Sequence, residues 1–537
     1  MIASGARSFW RGIDGWSTSV AICALVLLAP LIAVFFGLFE PSAYWGHLAG
    51  TVLPGYIANT LIVVLGVGIL SVAIAVPTAW LVASFDFTGR RFWEWALIMP
   101  LAVPTFTSAF VYYDVLNFSI PLIVKVRELF GFDASQWTER VIRYGTLIIL
   151  LTSVLYPYLF TCLRVAFSRE QSVYFEAGRV LGQSNGSIFR RVALPLARPA
   201  LVAGLSLIVM EVVNDYGAVN FFGVPTLTEG IFRSWFGLGD RVAGIRLAAV
   251  VICLVFFILA LERWQRRRKR FAPALSNTYT HERLALSRKR AILANVLCAV
   301  PFIIGFIYPV AKLTHWAIIA STDFNFLRFL KQVSTSLSLA VGISILIALL
   351  AFFLAYCTRL HGGLFRRYTD SATIGYAIPS VVTGVGVMTL LGALDNSPLA
   401  SIWSFTLSGS VAAISFAYTV RFLTVAYMPA LSGIERTCGS LQEVSQSLGQ
   451  SRWRSMTKIY WPLLRGNLLA GGTLVFIDLT KELPLTLILR PSGFETLATH
   501  AFGFAKEGLI YDSAFPSLMI ILLGVWGLRI IHRYTEI

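Results

Sequence analysis

YFEAGRVLGQSNGSIFRRVALPLARP, residues 174–199, recurs later in the chain as LQEVSQSLGQSRWRSMTKIYWPLLRG, residues 441–466. Placing Glu176 on Glu443 sets a shift of 267, and Leu181-Gly182-Gln183 then falls on Leu448-Gly449-Gln450 and Pro195 on Pro462 without a gap. Further out, MPLAVPTFTSAF around Pro104 corresponds to GYAIPSVVTGVG around Pro379, at a shift of 275. The difference of eight residues reads as an insertion in the first half, in an outward loop near 118–140. A chain that repeats over this length is two copies of one unit, an organisation common in membrane transporters.

Between these landmarks the sequence is too apolar for water. Of 537 residues, 57% are hydrophobic and 13% charged, with a mean hydropathy of +0.73, whereas a soluble chain carries about a quarter charged residues. The apolar runs reach about twenty residues, enough to cross ~30 Å of hydrocarbon as helix. Lipid offers no partners to free backbone groups, so such runs must be helical. The expected class is an all-α polytopic membrane protein of about 12 transmembrane helices. The spans lie near 19–39, 57–83, 93–117, 144–163, 199–221 and 243–261, and near 291–311, 335–356, 370–394, 407–428, 467–488 and 513–531. RWQRRRKRFAPALSNTYTHERLALSRKR, a basic linker at 263–290, separates a first repeat (1–262) from a second (291–537). Six spans in each half make the repeats parallel, related by an axis along the membrane normal, and two such halves can enclose a pore.

The net charge of +17 does not point to nucleic acid, because of where the charge sits. With the N-terminus inside, cytoplasmic segments hold 31 of the 44 Lys and Arg residues, including ten in the linker and six over 421–466. That bias expects both termini in the cytoplasm, and the basic linker also suits anionic membrane lipid. The first apolar run is long for a signal peptide and reads as a retained helix. Cys23, Cys162, Cys253, Cys298, Cys357 and Cys438 show no CxxC spacing and read as small core residues.

The duplicated stretch resembles the cytoplasmic Glu-Ala-Ala loop of binding-protein-dependent permeases of ATP-binding-cassette importers. The first copy matches through Glu176, Ala177, Gly178, Gly182, Leu194 and Pro195. In the second, Val444 and Ser445 replace the Ala pair, while Glu443, Gly449 and Pro462 hold the register. The resemblance covers nearly the whole chain. It implies that the loops at 170–195 and 437–462 each seat an ATPase, so that one fused chain recruits two ATPase subunits. Physically, each loop reads as two short helices broken at a Gly that permits a turn closed to other residues, with the Pro starting the next span. No G-x-x-x-x-G-K-[ST] segment is present, so ATP and Mg²⁺ are expected on the partner ATPase, with no cofactor bound by this chain and no enzyme activity of its own.

Glu211 and Asp215 are four apart in the fifth span, so they share a helix face. The shift of 267 carries them to Asp478 and Glu482 in the eleventh. Ionisable groups within a membrane usually face a pore or a partner. Glu211, Asn214, Asp215, Asp478, Lys481 and Glu482 are therefore the candidate pathway residues. Hard oxygen donors suit a hard cation, and Asp215 and Glu482 are the acids placed to touch a metal cargo. The structural alternative has Lys481 neutralise Glu482 and Asp215 cap backbone in the broken segment 214–217. The segments following Glu211 and Asp478 resemble the ferric-iron branch of these permeases, which implies ferric iron delivered by a periplasmic or extracellular binding protein. Branches for thiamine, polyamine or sulfate share the loop and fold, so the resemblance leaves those substrates open. Glu229, Asp240, Glu495, Glu507 and Asp512 fall on the outer side, where a binding protein would dock. An ion-coupled secondary transporter could also carry repeats and buried acids, but it has no need of two large basic loops. No nucleophile–base set for a membrane enzyme is evident.

Overall fold

The structure is a computed structural model that describes residues 15–169, 178, 180–267, 284–323, 325–361, 369, 375, 378–398, 400, 406–437 and 440–535. Glu176, Ala177, Cys438 and most of the basic linker lie outside them. Among the described residues ten helices are long and apolar enough to cross a membrane, and a bent pair makes eleven. Ser380–Asp395 is a shorter apolar helix at the place of the ninth span. The chain is an all-α polytopic membrane protein, its sole sheet among the described residues being one two-residue strand pair.

In the first half the spans are Gly15–Gly37, Leu53–Ser84, Thr105–Phe130, Phe132–Ser168, Arg198–Asn214 and Arg241–Ala260. In the second they are Arg288–Ala320, Phe326–Leu360, Ser380–Asp395, Val411–Arg436, Trp461–Lys481 and Ala514–Ile531. Their outer faces carry Leu65, Ile69, Phe257, Ile318 and Leu346 exposed, as helices hydrophobic all round must when lipid is the solvent. Their inner faces bury Phe110, Tyr156, Phe160, Tyr418 and Tyr427.

Small residues set the crossings, as is usual where no water drives helices together. A Cβ on Gly204 would lie 2.9 Å from Leu159 Cα, and one on Gly471, its equivalent at 267, would lie 3.0 Å from Ala426 Cα. The fifth span thus crosses the fourth, and the eleventh the tenth, at the same register. Between halves, a Cβ on Gly386 would lie 2.6 Å from Pro30 O, so the first span lies directly on the ninth. A Cβ on Gly524 would lie 2.9 Å from Ala102 Cβ, placing the last span on the start of the third. Phe85–Asp86 pairs in parallel with Leu284–Ala285, and Trp93 Nε1 donates to Asn295 Oδ1 at 2.7 Å, so the end of the linker also rests on the first half.

Two expectations change. Residues 118–140 are not an outward loop: Asp114–Phe130 and Phe132–Arg169 continue the third and fourth spans as helices, turning at Gly131 (φ 87°). Arg421, counted with the cytoplasmic loop on sequence, is buried at 4% exposure inside Val411–Arg436.

Candidate functional site

The two loops are built alike to the level of single hydrogen bonds. Gly182 and Gly449 have φ of 73° and 71°, and a Cβ on either would meet no atom within 4 Å, so the left-handed backbone alone demands glycine there. The amide of Gln183 donates to Gly178 O at 2.9 Å, and that of Gln450 to Ser445 O at 3.1 Å. Ser184 and Ser451 then cap the next helices, each accepting from the amide three residues on at 3.3 Å. A Cβ on Gly178 would lie 3.1 Å from Ile188, and at 267 further Ser445 Oγ meets Ser455 Oγ at 2.5 Å. This explains the small residue at that position, since the two helices of the loop touch there. Glu443 lies exposed on Ser440–Ser447. Leu181 and Leu448 stand at the turns, 77% and 72% exposed.

The loops part company beyond the turn. Both continue through one π-helical turn, Phe189–Ala193 and Met456–Tyr460. Pro462 then starts Trp461–Lys481, as the sequence expects. Pro195 holds the same second position in Leu194–Leu196, but that helix stops there and the chain bends by 64° before Arg198–Asn214.

The fifth and eleventh spans both break at their acids. Arg198–Asn214 ends where Asp215 turns extended, and Trp461–Lys481 ends the same way at Glu482. Asp215 Oδ1 accepts from the amides of Ala218 (2.9 Å) and Val219 (3.3 Å) at the head of Gly217–Phe221. Glu482 Oε1 accepts from the amide of Leu485 (3.3 Å) in Pro484–Leu489. Each acid therefore satisfies amides freed by its own break, as the structural alternative for Asp215 held. Lys481 pairs with Asp478 at 3.0 Å rather than with Glu482. Asn214 Oδ1 accepts from the amide of Ser380 at 2.6 Å, joining the first half's break to the second half's Pro379 turn.

The four acids, Asn214 and Lys481 do come together. They line one cavity of about 90 Å³ at the meeting of the halves, with Pro104, Tyr158 and Arg421. A Cβ on Gly217 would meet Phe106 Cβ at 2.5 Å and Leu483 Cδ2 at 2.9 Å, so the two breaks abut. The space takes a few waters or a bare ion. Arg421, which lines the same space and whose guanidinium donates to Ile378 O, was not singled out on sequence. The signal was available, since an Arg fourteen residues into a span beginning near 407 is costly unless it faces the interior. Among the described residues no three His, Cys, Asp or Glu side chains are placed to hold one metal ion, so Asp215 and Glu482 serve first as backbone caps.

Among the acids expected to face outward, Asp240 accepts from Ser42 Oγ (2.7 Å) and the amide of Ala243 (2.9 Å). Burial pushes its carboxyl up, but these bonds and those from the amides of Tyr44 and Val242 outweigh it and hold the carboxyl below its usual value. Glu495 pairs with Arg490 at 3.1 Å, Glu229 is half-buried, and Glu507 and Asp512 are exposed. The short helices beside these acids, Leu227–Phe232 and Leu497–Lys506, are also repeat-related. The amide of Leu227 donates to Thr60 Oγ1 (3.0 Å) and that of Leu497 to Ser336 Oγ (2.8 Å).

Residues 71–271 match the family described as binding-protein-dependent transport system inner membrane component. Over that stretch, 201 of the 537 residues, the chain is similar to that family. Along nearly its whole length the permease is similar to the Fe(3+)-transport system permease protein FbpB 2 of Haemophilus influenzae, 22% identical over 89% of this chain and 90% of the relative. It is also similar to the thiamine transport system permease protein ThiP of Brucella abortus, 23% identical over 74% of this chain and 72% of the relative. The sulfate transport system permease protein CysT of Salmonella typhimurium is 24% identical over 41% of this chain and 78% of the relative. The permease is thus a multi-pass inner-membrane subunit of an ATP-driven importer, not an enzyme, and works with a substrate-binding protein and ATPase partners.

Proposed function

We propose that this permease carries ferric iron, released by an external binding protein, through the cavity between the two broken spans. The observation that carries the reading is the meeting of Glu211, Asp215, Asp478 and Glu482 in one space, with Arg421 and Lys481 as the cations among its described lining residues. An excess of carboxylates suits a hard cation and disfavours sulfate. Similarity to an Fe(3+) permease across nine-tenths of both chains supports the same substrate. The two loops, including Glu176, Ala177, Gly182 and Pro195 in the first and Glu443, Gly449 and Pro462 in the second, each dock one ATPase. ATP and Mg²⁺ are used there, and no cofactor is held by this chain. The repeats 1–262 and 291–537 then share one axis, the linker and both termini lying on the ATPase side. Thiamine is the second reading, favoured by the thiamine permease's similarity over three-quarters of the chain and by the substrate's positive charge.

The deciding experiment reconstitutes the permease in liposomes with its ATPase and binding protein and follows uptake of radiolabelled ferric iron, thiamine and sulfate. ATP-dependent accumulation of iron alone is expected. Accumulation of thiamine or sulfate without iron would reassign the substrate, and uptake without any ATPase would remove the importer mechanism.

A further inference from the structure

A groove of about 680 Å³ opens on the membrane-facing side of the second half, between Phe326–His361, Trp461–Lys481 and Ala514–Thr535. Its wall is apolar along most of its length, with Ile345, Leu349 and Leu469 exposed and Phe476 buried beneath them. At one end the chemistry changes. Arg465 and Arg533, from different helices, both line the groove there and both are exposed. Trp461, 42% exposed, stands one turn from Arg465, while Trp526, 57% exposed, lines the groove two turns further in, near Thr473.

That end is the one nearest the 440–460 loop, because Trp461 follows the loop directly and Arg533 is close to the end of the last span. Phe476 lies fifteen residues above Trp461, roughly 22 Å by helix rise, which more than covers one leaflet of a ~30 Å hydrocarbon core. Two guanidiniums at headgroup level therefore sit below an apolar channel one acyl chain deep. Arginine forks bind phosphate oxygens bidentately, and tryptophan settles at the same interfacial depth.

We propose that this groove is a specific site for an anionic phospholipid of the leaflet facing the ATPases. Its phosphate is held by Arg465 and Arg533, and an acyl chain lies along Leu469 towards Phe476. The occupant seals the eleventh span, whose far end carries Asp478, Lys481 and the break at Glu482, so lipid binding and the pathway share one helix.

The test uses the full-length permease, purified in detergent and titrated with phosphatidylglycerol or phosphatidylcholine of matched chains, with bound lipid counted by native mass spectrometry. The wild-type chain is expected to retain phosphatidylglycerol roughly tenfold better, as two basic residues at an anionic headgroup should allow. R465Q with R533Q should abolish the preference. T473W, which fills the groove without touching its charges, should lower retention of both lipids. R529Q, on the same last helix but outside the groove, should change neither. Equal retention of the two lipids by the wild-type chain overturns the proposal, and needs no variant to fold. An R529Q loss as large as that of the double variant overturns it too, since diffuse basic charge would then suffice.

Discussion

Arg421 is the residue on which the halves' charges turn. It is buried among carboxylates from both repeats and also serves the carbonyl of Ile378, just before the Pro379 turn. Arg421→Gln removes the counter-charge and leaves a buried carbonyl short of its donor, a loss of about 1–3 kcal/mol. Uptake in proteoliposomes is expected to fall more than tenfold, with a lower melting temperature. Arg421→Lys should recover the stability in part. The acids separate cap from charge in the opposite direction. In D215N with E482Q each new amide keeps an oxygen for the amides of Ala218, Val219 and Leu485, so assembly should survive while the pathway loses two charges. Uptake at least tenfold slower in a monodisperse complex is the expected result, and normal uptake would take these residues out of the pathway. Residue types and the 267 shift made all four acids legible in the sequence. Arg421 was lost because a basic residue ahead of a basic loop is counted with the loop, and only its burial shows otherwise.

At the scale of elements, the loops depend on a backbone that only glycine accepts easily. Valine at position 182 or 449 would hold a left-handed φ at a cost of about 1–2 kcal/mol, and open space around both sites means no clash adds to it. The turn should relax and move Leu181 or Leu448, so G182V and G449V should each lower transport-linked ATP hydrolysis several-fold with membrane insertion unchanged. ATPase coupling at the wild-type level in both would argue against docking. The loop was readable because Gly, Ser cap and Pro recur at fixed offsets, and the broken fifth span was readable from 214–217. The helices over 118–140 were not readable as such. Their reversal rests on one residue, Gly131, and a stretch with no buried side chain in Asp114–Phe130 gives a weak apolar signal. Nor could the 64° bend after Pro195 be foreseen, since Pro195 and Pro462 occupy the same place in the repeat and differ only in the course of the chain after them.

For the whole molecule, the two docking sites should be unequal although the repeat is faithful. The first loop is held by its own half, with Phe189 packed on Trp80 at 5.1 Å and on Phe167 at 6.5 Å. The second is held partly by the other half: Trp16, in the first span, stacks on Phe353 at 5.8 Å and reaches Trp453 of the loop at 6.3 Å. Leu181→Asp and Leu448→Asp each place a charge on an exposed apolar tip, so if each loop docks one ATPase as proposed, each variant should lose one of two, read as complex mass by native mass spectrometry. Those single-site chains make the asymmetry measurable. Aromatic contacts of this kind contribute about 0.5–1.5 kcal/mol each, so Trp16→Ala should weaken ATPase affinity roughly two- to tenfold in the L181D background, where only the second loop remains. In the L448D background the same substitution should change nothing, because among the described residues no ring of the first loop packs on Trp16. Equal weakening in both backgrounds would mean that Trp16 supports the fold at large. Weakening confined to L181D would show that the first helix of one half sets the grip of the other half's ATPase, a coupling that a fused chain provides by construction.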